Sequence, residues 1–301
     1  MTDIDLTADG IRAVVSTVGG VLWHVDVVAD GAKAASLLRA PPEGDGRDPL
    51  ASACFPLVPF GNRIAGNRFS FEGTEHLLEP NVPWDPHYLH GDGWLSEWSV
   101  RAQSRSTLRL GLAHASRQTP YRYDAEQEIE LGERSLTLRL SIVNRGRQAL
   151  PFGLGWHPYF PLTPRTRLQA RATGWWTEGE GWLPDREEPL RPALDFNVPR
   201  LLPRHWVNNG FEGWDGKARI AWPETGRTLT VEADRRFSRY FVFVSDPAFD
   251  KGYDFDFFCF EPMSHSANAH NIQGGAGLVR LAPGESMAGS MTLRWQEARE
   301  A

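Results

Sequence analysis

The sequence predicts an all-β protein, an antiparallel sandwich or barrel that occupies residues 1–301 as a single domain. Hydrophobic and polar residues alternate with a period of two wherever a pattern can be read, which is typical of half-buried strands. Segments with the 3.6-residue period of a helix are scarce. Glycine and proline, at 29 and 22 residues, interrupt the chain at short intervals, as turns between many short strands require.

The strand predictions follow the chain in order. "STLRLGLAHA" (106–115) alternates leucine with polar or small residues, and "QEIELGERSLTLRLSIVN" (127–144) has the pattern of a hairpin with a turn at Gly132-Glu133. Four later segments are rich in aromatic and β-branched residues and predict further strands: "RTLTVEAD" (227–234), "RYFVFVSD" (239–246), "DFFCFEP" (256–262) and "SMAGSMTLRW" (286–295).

Helical segments are too few for an alternating strand-helix fold. "GAKAASLLRA" (31–40) could form a turn or two, and little else keeps a helical period. Strands are not separated by helix-length segments, which disfavours a parallel sheet. We find no internal repeat and no linker, so one domain is expected.

Composition narrows the class of partner. The hydrophobic content is 41%, which excludes a disordered chain, and the formal charge of −6 provides no basic field for nucleic acid or an anionic membrane. No leader or membrane-length apolar segment is evident, and the two cysteines are expected to stay reduced. We therefore expect a soluble cytoplasmic protein, either monomeric or dimeric.

Several polar residues stand where the pattern predicts apolar ones. Asn62 and Arg63 follow the apolar "FPLVPFG" segment, and Arg63 could be a fixed donor for substrate oxygens. His87 and His90 lie in "PHYLHGDGW" (86–94), where a metal site or a hydrogen-bonded loop are both open. His157 lies among the aromatic residues of "PFGLGWHPYF" (151–160), where packing alone could explain it.

Two carboxylates complete the set. Glu261 ends the strongly apolar strand of "FDFFCFEPMSH" (255–265), where a charge is costly unless it is paired or used. Asp215 follows Trp214 in the glycine-rich "NNGFEGWDG" (208–216), where it could accept from substrate hydroxyls or stabilise a turn.

Taken in order, these segments resemble the aldose 1-epimerase (galactose mutarotase) family. The resemblance rests on "NRIAGNRFSFEG", "LHGDGW", "GLGWHPYFPL", "NNGFEGWDG", "FCFEPMSH" and "GLVRLAPGES", and it covers most of the chain. It implies a single-domain β-supersandwich with a sugar-binding cleft, and interconversion of α and β anomers without cofactor or metal.

The resemblance also implies a role for each residue. His157 would be the general acid and Glu261 the general base, while Arg63, His90 and Asp215 would bind and orient the sugar. Asn62 adjoins Arg63 in its motif and is included in the binding set.

The chain departs from the family pattern at two positions. Trp156 stands where many members have asparagine, and Asp92 stands where many have a second glycine. Both substitutions could reshape the cleft, so galactose preference does not carry over, and Trp156 is predicted to contact the substrate.

Three alternatives stay open. The first is a mutarotase for a phosphorylated or other anionic sugar, for which Arg68, Arg122 or Arg204 could supply cations. The second is a non-catalytic carbohydrate-binding or sensing protein on the same fold. The third is a metal-dependent jelly-roll enzyme that uses His87, His90 and His270.

Overall fold

The computed structural model describes residues 2–27, 35–41 and 48–296 of the chain. Within these ranges the protein has 26 β-strands and seven short 3-10 helices, and no α-helix. The all-β prediction is confirmed. No helix among the described residues is both long enough and apolar enough to cross a membrane.

The strands are short. In the first half of the chain they are β1 Asp3–Ala8, β2 Ile11–Ser16, β3 Leu22–Val27, β4 Ala35–Ser36, β5 Cys54–Leu57, β6 Arg63–Ile64, β7 Arg68–Phe71, β8 Thr74–Leu77, β9 Tyr88–Leu89, β10 Ser99–Gln103, β11 Thr107–Ala115, β12 Arg122–Gly132 and β13 Ser135–Asn144. In the second half they are β14 Leu150–Phe152, β15 Gly155–Pro161, β16 Arg167–Ala170, β17 Gly174–Glu178, β18 Pro184–Glu188, β19 Arg200–Leu201, β20 Val207–Glu212, β21 Lys217–Trp222, β22 Arg227–Ala233, β23 Arg239–Val244, β24 Phe257–Met263, β25 Val279–Leu281 and β26 Ser286–Gln296. The 3-10 helices are Pro49–Ala51, Ala65–Asn67, Gly93–Leu95, Glu180–Trp182, Pro192–Leu194, Ala269–Asn271 and Gln273–Gly277.

Two large antiparallel sheets contain most of these strands. The first has 11 strands in the order β1-β2-β3-β5-β15-β24-β23-β20-β17-β18, with β4 paired to β3. The second has nine strands in the order β10-β11-β12-β13-β26-β22-β21-β16-β19. Three two-stranded pairs, β14-β25, β6-β9 and β7-β8, are separate from both sheets. The result is the large sandwich that the resemblance implies.

The two sheets pack against each other through buried polar and aromatic contacts. The Tyr240 hydroxyl on β23 donates to the Ala170 carbonyl on β16 at 3.3 Å, and Trp222 Nε1 on β21 donates to the Pro161 carbonyl on β15 at 2.8 Å. Because these bonds join one sheet to the other, the main core lies between the sheets.

Strand β24 is buried along its whole length because both its faces are covered. On one face Phe260 stacks on Tyr240 at 4.8 Å between ring centroids, within the core. On the other face lie Phe257 and Glu261, which line a cleft. Side chains alternate along a strand, so odd-numbered positions of β24 face the cleft and even-numbered ones face the core.

The predicted hairpin at 127–144 is confirmed, since β12 and β13 pair with Gly132 opposite Ser135. The helical turn expected in 31–40 is not found in the part of that segment that the structure describes. Ala35 and Ser36 form a strand against Val27 and Asp26, and residues 31–34 lie outside the described ranges. Leu37 and Leu38 are buried in the core, so tertiary packing overrides the local helical preference.

Candidate active site

A deep cleft of about 810 Å³ opens on the outer face of the eleven-stranded sheet. Its floor is formed by strands β15, β24, β23 and β20, which are neighbours in the sheet. Its walls come from the segments around these strands and include Arg63, His90, Trp182 and residues 248–253. Sites of this size commonly bind small organic ligands.

His157 and Glu261 form a close pair on the floor of this cleft. Gly155 pairs with Met263 and Tyr159 with Cys259, so the antiparallel register places residue 157 opposite residue 261. His157 Nε2 lies 3.3 Å from Glu261 Oε1, and both side chains are buried. A proton can therefore pass between them directly.

Aromatic rings hold the imidazole of His157 in place. Phe55 on β5 stacks on it at 4.5 Å with an interplanar angle of 16°, and Tyr159 lies at 4.7 Å on the same strand. His90 meets it edge-on at 5.1 Å. The apolar neighbours that made packing a reasonable explanation for His157 thus form the walls around a titratable group.

Burial shifts the pKa of each member of the pair away from its charged form. It raises the pKa of Glu261 well above the usual carboxyl value, although the positive charge of Arg63 opposes this. It lowers the pKa of His157 to about 3, with a smaller contribution from the positive charge of Arg39. Burial therefore favours the form of the pair that carries one proton and no charge.

His90 is fixed by the turn that precedes Arg63. The backbone N–H of Asn62 donates to His90 Nδ1 at 3.1 Å, and the His90 N–H donates to the Asn62 carbonyl at 2.9 Å. Both residues have left-handed backbones, with φ of 60° for Asn62 and 58° for His90. Such backbones are uncommon outside glycine and persist where surrounding contacts hold them.

The hydrogen bond to Nδ1 determines which ring nitrogen of His90 carries the proton. Burial lowers the pKa of His90 well below the usual imidazole value, and the charges of His157 and Arg63 lower it further. The ring is therefore neutral, its Nδ1 accepts, and its Nε2–H is the donor that remains for a ligand.

Arg63 is oriented by a buried carboxylate. Its Nε lies 2.8 Å from Asp85 Oδ2, and both side chains are almost inaccessible to solvent. The other carboxylate oxygen of Asp85 accepts from the His87 backbone N–H at 2.9 Å, and the guanidinium lies 5.2 Å from the centre of the Trp182 ring. Arg63 thus presents fixed donors to the cleft.

We expect Asp85→Asn to lower both stability and substrate affinity. The variant leaves the Arg63 guanidinium buried without its counter-charge, and breaking a buried pair in this way costs about 3–5 kcal/mol. Urea unfolding would measure the loss, and an increased KM with a smaller change in kcat would report the displaced guanidinium.

The matched control is Asp124→Asn, which removes the partner of the exposed ion pair with Arg145. Exposed pairs contribute about 0–1 kcal/mol, so this variant should unfold close to the wild type. Equal losses in the two variants would contradict the role assigned to Asp85.

Two of the residues predicted to contact the sugar do not line the cleft. Asp215 is exposed and its Oδ1 accepts from the Lys217 backbone N–H at 3.1 Å, so it stabilises a turn. Trp156 is fully buried on the opposite face of β15, where its ring lies 5.1 Å from that of Phe237. The expectation that both contact the sugar is corrected, because strand alternation directs Trp156 away from its neighbour His157.

Asp92, the other departure from the family pattern, is also outside the lining of the cleft. It accepts a hydrogen bond from the Tyr88 hydroxyl, and its Oδ2 lies 3.3 Å from His114 Nε2. Burial raises the pKa of Asp92. This buried network supports the turn that holds His90.

The three histidines of the metal hypothesis are not brought together. His87 Nδ1 accepts from the Gly66 N–H, His90 Nδ1 accepts from Asn62, and His270 Nε2 lies 2.8 Å from the Tyr121 hydroxyl. Among the described residues, one group could hold a metal ion: His157, Cys259 and Glu261, whose ligand atoms lie within 4.8 Å of one another. Burial raises the pKa of the Cys259 thiol, which favours the protonated form that binds metals weakly.

Sequence reasoning missed Asn208, which lines the cleft. It lies opposite Phe243 across β20 and β23, and its Nδ2 donates to Glu178 and to the Trp182 carbonyl. Its Oδ1 is therefore the atom left to accept from a ligand hydroxyl. The sequence does contain a signal for Asn208: it is a polar residue at an inward position of a strand, in the same segment that contains Asp215.

Comparison with known proteins finds relatives along most of the chain. The family model described as aldose 1-epimerase matches residues 2–294. The chain is 54% identical over 244 residues to an uncharacterised protein, YphB, of Escherichia coli strain K12, covering 81% of this chain and 83% of that protein.

Solved structures show the same architecture. A candidate aldose 1-epimerase from Escherichia coli K12 is 47% identical, covers 99% of each chain and has a TM-score of 0.92. The galactose 1-epimerase of Lactobacillus acidophilus NCFM has a TM-score of 0.78 over 99% of this chain and 95% of its own, at 18% identity, a likeness that concerns the fold.

Proposed function

The chain belongs to the aldose 1-epimerase family of isomerases, and we propose that it interconverts the α and β anomers of a free aldose by acid–base catalysis at His157 and Glu261. The observation that carries this proposal is the buried contact of 3.3 Å between His157 Nε2 and Glu261 Oε1. A protein that only binds sugar has no need for two titratable groups within proton-transfer distance on the cleft floor.

The reaction requires two proton transfers. Ring opening removes the proton from the C1 hydroxyl and adds one to the ring oxygen, which breaks the bond from C1 to that oxygen and leaves an aldehyde. In our assignment Glu261 accepts the first proton and His157 donates the second. Rotation about C1–C2 and closure on the other face reverse both transfers, so no proton is gained or lost.

The burial of the pair favours ring opening. The reactive pair consists of a carboxylate and an imidazolium, and opening converts it to a carboxylic acid and a neutral imidazole. Burial stabilises this uncharged form, as the raised pKa of Glu261 and the lowered pKa of His157 show. In the resting pair the proton lies on Glu261, so the reactive pair forms when that proton passes to His157 across the short contact, and the charge of Arg63 stabilises the carboxylate that results.

Arg63, His90 and Asn208 would position the sugar. The guanidinium of Arg63 and the Nε2–H of His90 donate to sugar oxygens, while Asn208 Oδ1 accepts from a hydroxyl. Each of these side chains is fixed by another protein group, so the ring is oriented without further loss of side-chain freedom. Asn62 contributes by fixing these two residues: its backbone N–H donates to His90 Nδ1, and its side-chain Oδ1 accepts from the Arg63 backbone N–H.

The charges of the cleft favour a neutral aldose over an anionic one. Arg63 is paired with Asp85, and Arg39 donates to the carbonyls of Leu50 and Ser52. Carboxylates of Asp48, Asp250 and Asp256 also line the cleft, whereas Arg68, Arg122 and Arg204 do not. Lys251 is the third basic side chain of the lining, and Glu261 is the fourth acidic one. A phosphate would thus meet more acidic groups than basic ones.

An anomerisation assay with a panel of aldoses tests the proposal. Saturation-exchange NMR or polarimetry on freshly dissolved α-glucose, α-galactose and glucose 6-phosphate should show catalysis above the spontaneous rate, greatest for a neutral sugar. The absence of catalysis with every aldose would favour a binding or sensing role, and greatest activity with the phosphate would reverse the assignment of substrate charge.

We also propose that the chain acts as one domain, since the cleft is lined by residues from Arg39 to Glu261.

The pH dependence of kcat/KM should reflect the uncharged pair. The acid limb marks addition of a second proton to the pair, which requires protonating His157, and burial lowers that pKa to about 3. We therefore expect kcat/KM to stay flat from about pH 7 down to about pH 5, and to fall on the alkaline side once Glu261 has lost its proton. An acid limb near about pH 6.5, the ordinary imidazole value, would contradict this assignment.

A further inference from the structure

The backbone at His90 turns in a left-handed conformation. The φ angles are 58° for His90 and 67° for Gly91, values that glycine adopts freely and histidine adopts only at a cost. The hydrogen bonds between His90 and Asn62 hold the imidazole and the His90 amide, but they do not involve the carbonyls of Leu89 and Gly91 on either side. Other side chains bind those two carbonyls.

Asn81 holds the chain on both sides of His90. Its Nδ2 donates to the Leu89 carbonyl at 2.7 Å and to the Gly91 carbonyl at 3.0 Å, and its Oδ1 accepts from the Leu89 backbone N–H at 2.9 Å. Both donors and the acceptor of this amide are therefore used on one short segment. Asn81 is half-buried and does not line the cleft, so it can affect a ligand only through the residues that it holds.

Trp94 binds the same two carbonyls from the core. Its Nε1–H lies 3.2 Å from the carbonyl of Leu89 and 3.2 Å from that of Gly91, and the indole is buried. We call the side chains of Asn81 and Trp94 the His90 clamp. Because the two carbonyls converge on the same pair of donors, a different φ at His90 would separate them and break these bonds. The clamp therefore favours the left-handed backbone.

The clamp is also connected to the catalytic pair. The Trp94 ring stacks on Phe55 at 5.4 Å between centroids, and Phe55 stacks on the imidazole of His157. The Trp94 ring meets the ring of His90 edge-on at 6.0 Å. The backbone of His90 is thus held by a residue that belongs to the same aromatic stack as His157, which fixes the distance between the two imidazoles.

We propose that Asn81 is a positioning residue for mutarotation and that it acts through His90. The inference rests on the proposed function: Asn81 maintains the left-handed backbone of His90, and that backbone directs the Nε2–H of the imidazole to a sugar oxygen. Asn62 fixes only the other ring nitrogen, so the direction of the donor depends on the backbone as well. An asparagine that merely stabilised the segment would affect turnover equally whether or not His90 is present.

A double-mutant cycle with His90 tests this coupling. We expect Asn81→Ala to lower kcat/KM about tenfold in the wild-type background, mainly by raising KM, and less than about twofold in the His90→Ala background, where the residue it positions is absent. An equal fall in both backgrounds would overturn the proposal. Trp94→Phe removes the other donor of the clamp but keeps a ring on Phe55, so it carries the same cycle if Asn81→Ala does not fold.

Asn197→Ala is the matched control. Asn197 is also half-buried and outside the lining of the cleft, and its amide holds the backbone of Ala172: Oδ1 accepts from the N–H at 3.0 Å, and Nδ2 donates to the carbonyl at 3.2 Å. Its loss should lower the free energy of unfolding to a similar degree and leave kcat/KM at the wild-type value. A fall in kcat/KM as large as that of Asn81→Ala would count against a specific role for Asn81.

If no aldose is turned over, hydrogen exchange separates the failure of the proposed function from that of the clamp. The His90 amide donates to the Asn62 carbonyl, so its exchange rate reports how firmly this turn is held. Faster exchange in Asn81→Ala but not in Asn197→Ala would retain Asn81 as the residue that holds His90 and remove only the catalytic function. Equal exchange in the wild type and both variants would overturn the clamp.

Discussion

Glu261→Gln should slow catalysed mutarotation about 10²- to 10⁴-fold, the usual contribution of a positioned acid or base. Glutamine keeps the shape of the side chain and its contact with His157 Nε2, but its amide cannot accept the C1 hydroxyl proton. Because burial raises the pKa of Glu261, the carboxylate that forms there is a stronger base than an exposed one. The loss should therefore fall on kcat, and polarimetry or saturation-exchange NMR would measure it.

The substitution should not unfold the protein. Glu261 is buried on a strand covered on both faces, where a neutral amide is no harder to bury than a carboxyl group. Urea unfolding should give a free energy close to the wild-type value. The matched control is Glu72→Gln, which alters an exposed pair with Arg280 and should change neither rate nor stability. A rate near that of the wild type in Glu261→Gln would remove Glu261 from the mechanism.

The fold was predictable because alternation along strands is a local signal. Leu136, Leu138 and Leu140 predict an inward face for β13, and all are buried in the structure. The pairing of distant strands is not local. The sequence between β15 and β24 does not indicate that residue 157 lies opposite residue 261. The resemblance of their motifs to the family, and not the period of either strand, predicted that the two residues act together.

The same alternation explains why Trp156 lies outside the cleft. Trp156 and His157 are adjacent in sequence, and adjacent residues of a strand face opposite sides of the sheet. A departure from the family pattern beside His157 therefore changes the core under the sheet, not the cleft. Asp215 lies beyond the end of β20, whereas Asn208 lies within it, so the same segment contributes to the cleft through a different residue.

The aromatic rings that Trp84, Trp182 and Phe249 add to the cleft could not be read from the sequence, because these residues lie in segments between the strands. Trp84 precedes β9, Trp182 ends a 3-10 helix and Phe249 follows β23, so they are far apart in the chain. Loops carry no periodicity that predicts where a side chain points. The left-handed backbone of Trp182 is likewise a property of its tertiary contacts, since its residue type disfavours that conformation.

A buried pair of titratable groups is unfavourable for folding, and its position indicates what offsets that cost. Glu261 Oε2 has no hydrogen-bond partner among the described residues. Unsatisfied buried polar atoms are rare in folded proteins and are often retained for function. A sugar placed over the pair would supply donors and acceptors to Glu261, so the site is better satisfied with substrate than without it.

His157→Gln should reduce kcat by a factor similar to that of Glu261→Gln, about 10²- to 10⁴-fold. The amide fills much of the space of the imidazole but cannot protonate the ring oxygen. It also loses the stacking of Phe55 at 4.5 Å, so a modest fall in the free energy of unfolding is expected. His24→Gln, on β3 outside the cleft, is the control and should leave the rate unchanged.

The double variant separates a catalytic pair from two independent contributions. Since both proton transfers belong to one ring-opening step, removing His157 after Glu261 should cost little more, and the double variant should be about as slow as the slower single variant. Effects that multiply would show that the two residues act separately. Wild-type turnover in His157→Gln would return His157 to a packing role and leave its contact with Glu261 without a catalytic purpose.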